Sequence, residues 1–78
     1  MTNLEKYDRV FIENLGVEKD QLNELNYQDI PAWDSIGHMT LIGALEETFD
    51  IMMDTDDIID FSSYKKGKEL LKKYDVEI

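Results

Sequence analysis

The sequence predicts an all-α fold, a small four-helix bundle with three longer helices, one short helix and a long first loop. Apolar residues recur every three or four positions in several segments, as they do on one face of an amphipathic helix. No segment alternates polar and apolar residues as a half-buried strand does. The chain has no internal repeat and no linker-like stretch, so we expect one domain over residues 1–78.

The first predicted helix covers residues 3–15 and stops at Gly16. Its apolar residues keep the helical spacing: Leu4, Tyr7, Val10, Phe11 and Leu15. Residues 16–34 form a long connection with a short turn around residues 20–25, and Pro31 disfavours helix at the residue before it. A loop of this length in a small domain has to pack its own side chains. Its expected core anchors are Leu22, Leu25, Tyr27, Ile30 and Trp33.

The strongest helix signal covers residues 34–50. Either Asp34 or Ser35 suits its N-cap, because each side chain can accept an orphan backbone N–H bond. On a helical wheel the core face collects Leu41, Ile42, Leu45 and Phe49, with His38 and Thr48 at its edges. The opposite face collects Ser35, Ile36, Met39, Gly43, Glu46, Glu47 and Asp50.

Two further helices are predicted toward the C-terminus. A short helix covers residues 56–60, and a last helix begins after Ser62 or Ser63 and runs through Tyr74. Gly67 lies inside this last helix, where a glycine costs about 1 kcal/mol relative to alanine. Tyr64 and Tyr74 are expected to be core residues with exposed hydroxyls.

The composition excludes several classes of protein. The chain has 18 acidic and 8 basic residues, a net charge of −10, which opposes binding to nucleic acid or to anionic membranes. It has no cysteine, so disulfides, thiolate zinc sites and cysteine nucleophiles are absent. No apolar stretch is long enough for membrane insertion, and the first residues do not resemble a secretion signal. We therefore expect a cytoplasmic monomer.

The acidic residues are unevenly distributed. No lysine or arginine occurs between Lys19 and Lys65, whereas residues 20–64 hold eleven acidic residues. A solvated surface explains such a stretch, and so does an anionic face that meets a basic partner. The outward face of the predicted helix 34–50 favours the second interpretation, because Ile36 and Met39 have no folding reason to be apolar there. We predict a docking patch at Ile36, Met39, Glu46, Glu47 and Asp50.

Asp34-Ser35-Ile36 stands at the start of the predicted helix 34–50, and residues 44–50 form its end. Both segments resemble the acyl carrier protein family, in which an Asp-Ser-Leu/Ile signature starts the second helix. The length, the acidity, the long first loop and the short third helix agree as well. Three residues differ from the commonest fatty-acid carriers: Gly37 replaces an aspartate, Gly43 replaces a larger apolar residue on the docking face, and Trp33 is more usual in carriers of specialised pathways.

The resemblance implies that Ser35 carries 4′-phosphopantetheine, attached by a phosphopantetheinyl transferase that takes the group from coenzyme A. Asp34 then caps the helix or is read by the transferase. Acyl or aminoacyl groups are carried as thioesters on the arm and delivered to enzymes with basic docking patches, so the chain itself is not an enzyme. An aliphatic cargo could fold beneath the helix, near Leu41, Leu45, Met53, Ile58 and Phe61, although plain core packing explains these residues equally well.

Other interpretations of the same residues remain. Asp34, Ser35 and His38 include the residue types of a hydrolase triad, but no acid lies behind the histidine to orient it. Residues 54–57 resemble a calcium loop, yet Ile59 stands where the glycine is required, so we interpret them as a solvated helix start and predict no metal site. The alternative function is an unmodified acidic helical adaptor that binds a basic protein partner.

Overall fold

The computed structural model describes all 78 residues and contains four α helices: α1 (Asn3–Leu15), α2 (Ser35–Phe49), α3 (Thr55–Asp60) and α4 (Tyr64–Lys72). A 3₁₀ segment, Lys19–Glu24, lies in the long connection between α1 and α2. No strand is formed, and a single β-bridge joins Asn26 and Ser63. The predicted helical fold class is confirmed, with three longer helices and one short helix. None of these helices combines the length and the apolar character that crossing a bilayer requires.

Helix α1 has the bounds that the sequence predicts. Thr2 and Glu5 form a capping box, in which each side chain accepts the backbone N–H of the other, at 3.1 and 3.0 Å. At the other end Gly16 has a φ of 68°, a left-handed conformation that glycine adopts without steric cost. Leu4 is the exception to the predicted core face, since it is 40% exposed.

The long connection between α1 and α2 is an ordered part of the core. Leu22, Leu25 and Trp33 are buried, whereas Tyr27 and Ile30 are half-buried. Backbone hydrogen bonds tie the same segment to the start of α4: the N–H of Tyr27 donates to Ser62 O at 2.9 Å, and the N–H of Tyr64 donates to Leu25 O at 3.0 Å. The loop is therefore held by both apolar anchors and backbone pairing.

The sequence offers two candidates for the N-cap of α2, Asp34 and Ser35. In the structure Asp34 Oδ1 accepts the N–H of Gly37 at 2.8 Å, so Asp34 is the N-cap and Ser35 is the first helical residue. Gly37 is needed at this turn because a Cβ there would overlap with the backbone carbonyl of Ala32. The predicted core face is correct for Leu41, Ile42 and Leu45, which are buried; Phe49 is half-buried, and Thr48 is exposed.

Helix α4 begins after Ser63, whose hydroxyl accepts the N–H of Lys66 at 3.0 Å, and ends at Lys72, two residues before the predicted end. Gly67 allows a close approach, since a Cβ at this position would overlap with the ring of Phe61 and the hydroxyl of Tyr7. The expectation of an exposed Tyr64 hydroxyl was wrong. This hydroxyl donates to the buried carboxylate of Asp8, and burial raises the pKa of Tyr64.

Seventeen buried apolar residues form one core, contributed by α1, α2, α4 and the connecting segments. Aromatic rings occupy its centre. The ring of Phe11 lies 5.0 Å from that of Tyr7, 5.5 Å from Trp33 and 5.3 Å from Tyr64, measured between centroids. Helix α3 contributes no fully buried apolar residue to this core. Its half-buried Ile58 packs against the core, and polar contacts described below hold the helix as well.

The two glycines of α2 predict opposite effects of the same substitution. Gly43 is exposed and a Cβ there would contact nothing, so Gly43→Ala should raise the free energy of unfolding by about 0.5–1 kcal/mol through helix propensity. Gly37→Ala should lower it by about 1–3 kcal/mol, because the new methyl group meets the Ala32 carbonyl. Urea unfolding measures both, and equal effects of the two substitutions would contradict the close approach at Gly37.

Candidate functional site

Ser35 lies on the surface at the first position of α2. Because Asp34 accepts the N–H of Gly37, the Ser35 hydroxyl has no capping role. The N–H groups of Ser35 and Ile36 have no acceptor within the chain, as is usual for a first helical turn. Free N–H groups and the positive end of the helix dipole favour an anionic group here.

A groove of about 330 Å³ opens beside Ser35. Its walls come from three parts of the chain, namely the first loop, α2 and α3. The lining residues are Tyr27, Ser35, His38, Met39, Ile58 and Ile59. Most of these side chains are apolar, so the groove presents an apolar surface next to an exposed hydroxyl.

His38 connects the walls of this groove. The indole N–H of Trp33 donates to His38 Nδ1 at 2.9 Å, and His38 Nε2 lies 2.8 Å from the carbonyl oxygen of Ile58. These partners assign the neutral tautomer that carries its proton on Nε2. Both ring nitrogens are thus occupied, and neither is free to accept a proton from Ser35. The arrangement does not supply the base that a serine hydrolase needs.

Helix α3 is held from its other side by Asp57, which is only 3% exposed. Lys73 Nζ lies 2.7 Å from one oxygen of Asp57, and the Tyr74 hydroxyl donates to the other at 2.5 Å. The Tyr74 oxygen also accepts the N–H of Asp54 at 2.9 Å. The hydrogen bond from Lys73 lowers the pKa of Asp57 most, and the hydrogen bond from Tyr74 lowers it further. In turn, the hydrogen bond to Asp57 raises the pKa of Lys73 and the pKa of Tyr74.

These contacts correct two expectations. Residues 54–57 are not a fully solvated helix start, because Asp57 is buried and paired with Lys73 and Tyr74. The Tyr74 hydroxyl is likewise not simply exposed, because it is hydrogen-bonded to Asp57 and to the backbone of Asp54. No three histidine, aspartate or glutamate side chains are brought together in an arrangement that could hold a metal ion.

The residues of the predicted docking patch differ in what they do. Ile36 and Met39 are 77% and 57% exposed, and Glu47 and Asp50 are exposed as well. Glu46 is different: it is half-buried, and its carboxylate accepts the N–H of Met53 at 2.8 Å. Its charge therefore helps to fix the connection after α2.

Sequence reasoning missed two exposed apolar residues, Met52 at 85% and Ile59 at 71%. Met52 precedes Met53, which is buried, and Ile59 follows Ile58, which is half-buried. Adjacent residues of a short helix or turn point in different directions, so each of these apolar pairs indicates that one member is more exposed than the other.

The groove beside Ser35 differs from the cargo pocket that the sequence predicts beneath α2. Leu41, Leu45, Met53 and Phe61 are buried in the core. Only Ile58, from the predicted set, lines the groove. Tyr27 and Ile59, which the sequence did not assign to a pocket, complete its walls.

No protein family, curated protein or solved structure matches the chain. The chemistry of the site is therefore inferred from its own residues: an unengaged hydroxyl, free N–H groups and an apolar groove.

The pairing of Asp57 predicts a pH-dependent stability. Because its pKa is lowered in the folded chain, its contribution is fully present above the ordinary aspartate value of about 3.9 and is lost as the pH falls through the lower folded value. Asp57→Asn should therefore destabilise the chain at pH 7, and its difference from the wild type should shrink at acidic pH. Urea unfolding at several pH values measures this.

Asp56→Asn is the matched control, because Asp56 is the exposed neighbour of Asp57 in the same helix. It should leave stability at pH 7 nearly unchanged. A difference between Asp57→Asn and the wild type that stays constant from neutral to acidic pH would contradict the role of the ionised carboxylate.

Proposed function

We propose that this chain is a carrier protein with a four-helix bundle scaffold, and that Ser35 is the attachment point of a 4′-phosphopantetheine arm. The single observation that carries the proposal is the position and environment of Ser35. It is exposed at the start of α2, it is relieved of capping by Asp34, and it opens onto an apolar groove. The Asp34-Ser35-Ile36 sequence resembles the carrier signature at the same position.

The residues around Ser35 fit a phosphodiester-linked arm. The N–H groups of Ser35 and Ile36 can donate to phosphate oxygens, and the helix dipole stabilises their negative charge. Met39, Ile58 and Ile59 offer an apolar surface to the part of the arm nearest the serine. When bound, the arm would supply the thiol that holds a carboxylic acid as a thioester, a chemistry that a chain without cysteine lacks.

The arm would be attached to Ser35 by transfer from coenzyme A. A bond forms between Ser35 Oγ and the β-phosphorus of coenzyme A, and the phosphorus–oxygen bond to 3′,5′-adenosine bisphosphate breaks. The hydroxyl proton has to pass to a base of the transferase, since both ring nitrogens of His38 are occupied. The chain thus presents the nucleophile, and the transferase supplies the base.

Docking is proposed to use the exposed face of α2. Ile36 and Met39 make apolar contacts, while Glu47 and Asp50 attract a basic surface of the partner enzyme. Such a small, charged interface favours fast association and fast release, which a carrier needs as it moves between enzymes.

A second candidate function is an acidic adaptor that is never modified. The exposed apolar side chains of Ile36, Met39 and Met52 favour it, because such groups also mark a protein-binding surface. The two candidates differ in one respect that can be measured, the covalent modification of Ser35.

Intact mass after incubation with coenzyme A and a broad-specificity phosphopantetheinyl transferase tests this difference. The wild-type chain should gain one phosphopantetheine, and Ser35→Ala should gain none. Ser62→Ala, at another exposed serine, should still be modified. No mass gain by the wild type, with a transferase shown to be active on another carrier, would refute the carrier function.

Charge reversal tests the docking face. Glu47→Lys should lower kcat/KM for the transferase by about tenfold at low salt, and the loss should shrink as salt screens the interaction. Glu24→Lys, an equal charge change at an exposed residue of the 3₁₀ segment, is the control and should have a much smaller effect. Equal losses in the two variants would show that net charge matters and that the position on α2 does not.

A further inference from the structure

The space beneath α2 is filled by aromatic rings. Phe11, Trp33 and Phe61 are at most 1% exposed, and their ring centroids are 5.5 to 6.4 Å apart. Rings in such contact interdigitate at crystal-like density. An alkyl chain could enter this region only by displacing one of them.

Hydrogen bonds oppose such a displacement at two positions. The indole N–H of Trp33 is paired with His38 Nδ1 at 2.9 Å, and the hydroxyl of Tyr7 donates to the carbonyl of Tyr64 at 2.6 Å. Moving either ring would leave a buried polar group without a partner. On the far side of the core, Gly67 brings α4 so close to Tyr7 and Phe61 that no Cβ fits between them.

The route into the core between α2 and α3 is also closed. His38 bonds α2 to the carbonyl of Ile58 at 2.8 Å, and Asp57 bonds α3 to Lys73 and Tyr74 of the C-terminal segment. Helix α3 is therefore held at two places on different sides, and both contacts have to break before it can move away from α2.

The only space next to Ser35 is the groove of about 330 Å³, which opens outward. Its walls are Tyr27, His38 and Met39 on one side and Ile58 and Ile59 on the other. We propose, on the basis of the carrier function above, that the cargo is a small or polar carboxylic acid, such as a short acyl or an aminoacyl group, held outside the core. A long aliphatic chain on this carrier would stay in water, where its apolar surface is unfavourable.

The proposal is tested by loading the full chain with acetyl-, hexanoyl- and octanoyl-phosphopantetheine from the corresponding coenzyme A thioesters. Intact mass confirms loading, and the rate of thioester cleavage by hydroxylamine reports how exposed the cargo is. A cargo buried nine-tenths of the time would be cleaved about tenfold more slowly. We expect the three rates to agree within about twofold, with the methyl NMR signals of Leu41 and Leu45 unchanged.

Slower cleavage with increasing chain length, together with shifts of those core signals, would overturn the proposal. Failure to gain mass at the loading step would instead refute the carrier function, so the two failures are distinguishable.

A core variant shows that the assay detects burial. Phe61→Ala removes a ring from beneath α2 and should slow the cleavage of octanoyl but not of acetyl. If circular dichroism shows that this variant does not fold, Phe61→Leu takes its place, with a smaller effect in the same direction. A folded variant that protects octanoyl no better than the wild type would contradict the claim that the aromatic core excludes the chain.

Discussion

The hydrogen bond from the Trp33 indole to His38 Nδ1 is the contact on which the candidate site depends. Trp33 is fully buried, so its N–H requires a partner, and that partner lies one turn into α2. The other ring nitrogen of His38 then bonds to the carbonyl of Ile58, a residue of α3. One buried tryptophan thereby aligns the first loop, α2 and α3, and the residue left on the surface at their junction is Ser35.

The sequence predicts the parts of this structure that follow from local pattern. The bounds of α1, the core face of α2 and the buried anchors of the first loop are visible in apolar spacing and in cap residues. The burial of Asp57 was missed because its partners, Lys73 and Tyr74, are 16 and 17 residues away. Sequence pattern shows only the cost of Gly67 to its helix for the same reason, since the rings of Phe61 and Tyr7 that need the close approach belong to other segments.

The acidic residues of the middle segment have at least three different roles. Asp34 caps α2, and Glu46 and Asp57 are committed to internal hydrogen bonds with Met53 and with the C-terminal segment. Glu47 and Asp50 remain exposed, as do Ile36 and Met39 nearer the start of α2. The net charge therefore includes carboxylates that a basic partner cannot contact. The position of each carboxylate determines whether it is available for docking.

The proposed carrier function requires that Ser35 is modified in the cells that make the protein, and tandem mass spectrometry of the purified native chain measures this directly. Because no lysine or arginine lies between Lys19 and Lys65, trypsin releases residues 20–65 as one peptide that holds every serine of the chain. Fragmentation should localise a phosphopantetheine to Ser35. A peptide recovered only unmodified, or modified at Ser62 or Ser63, would contradict the assignment.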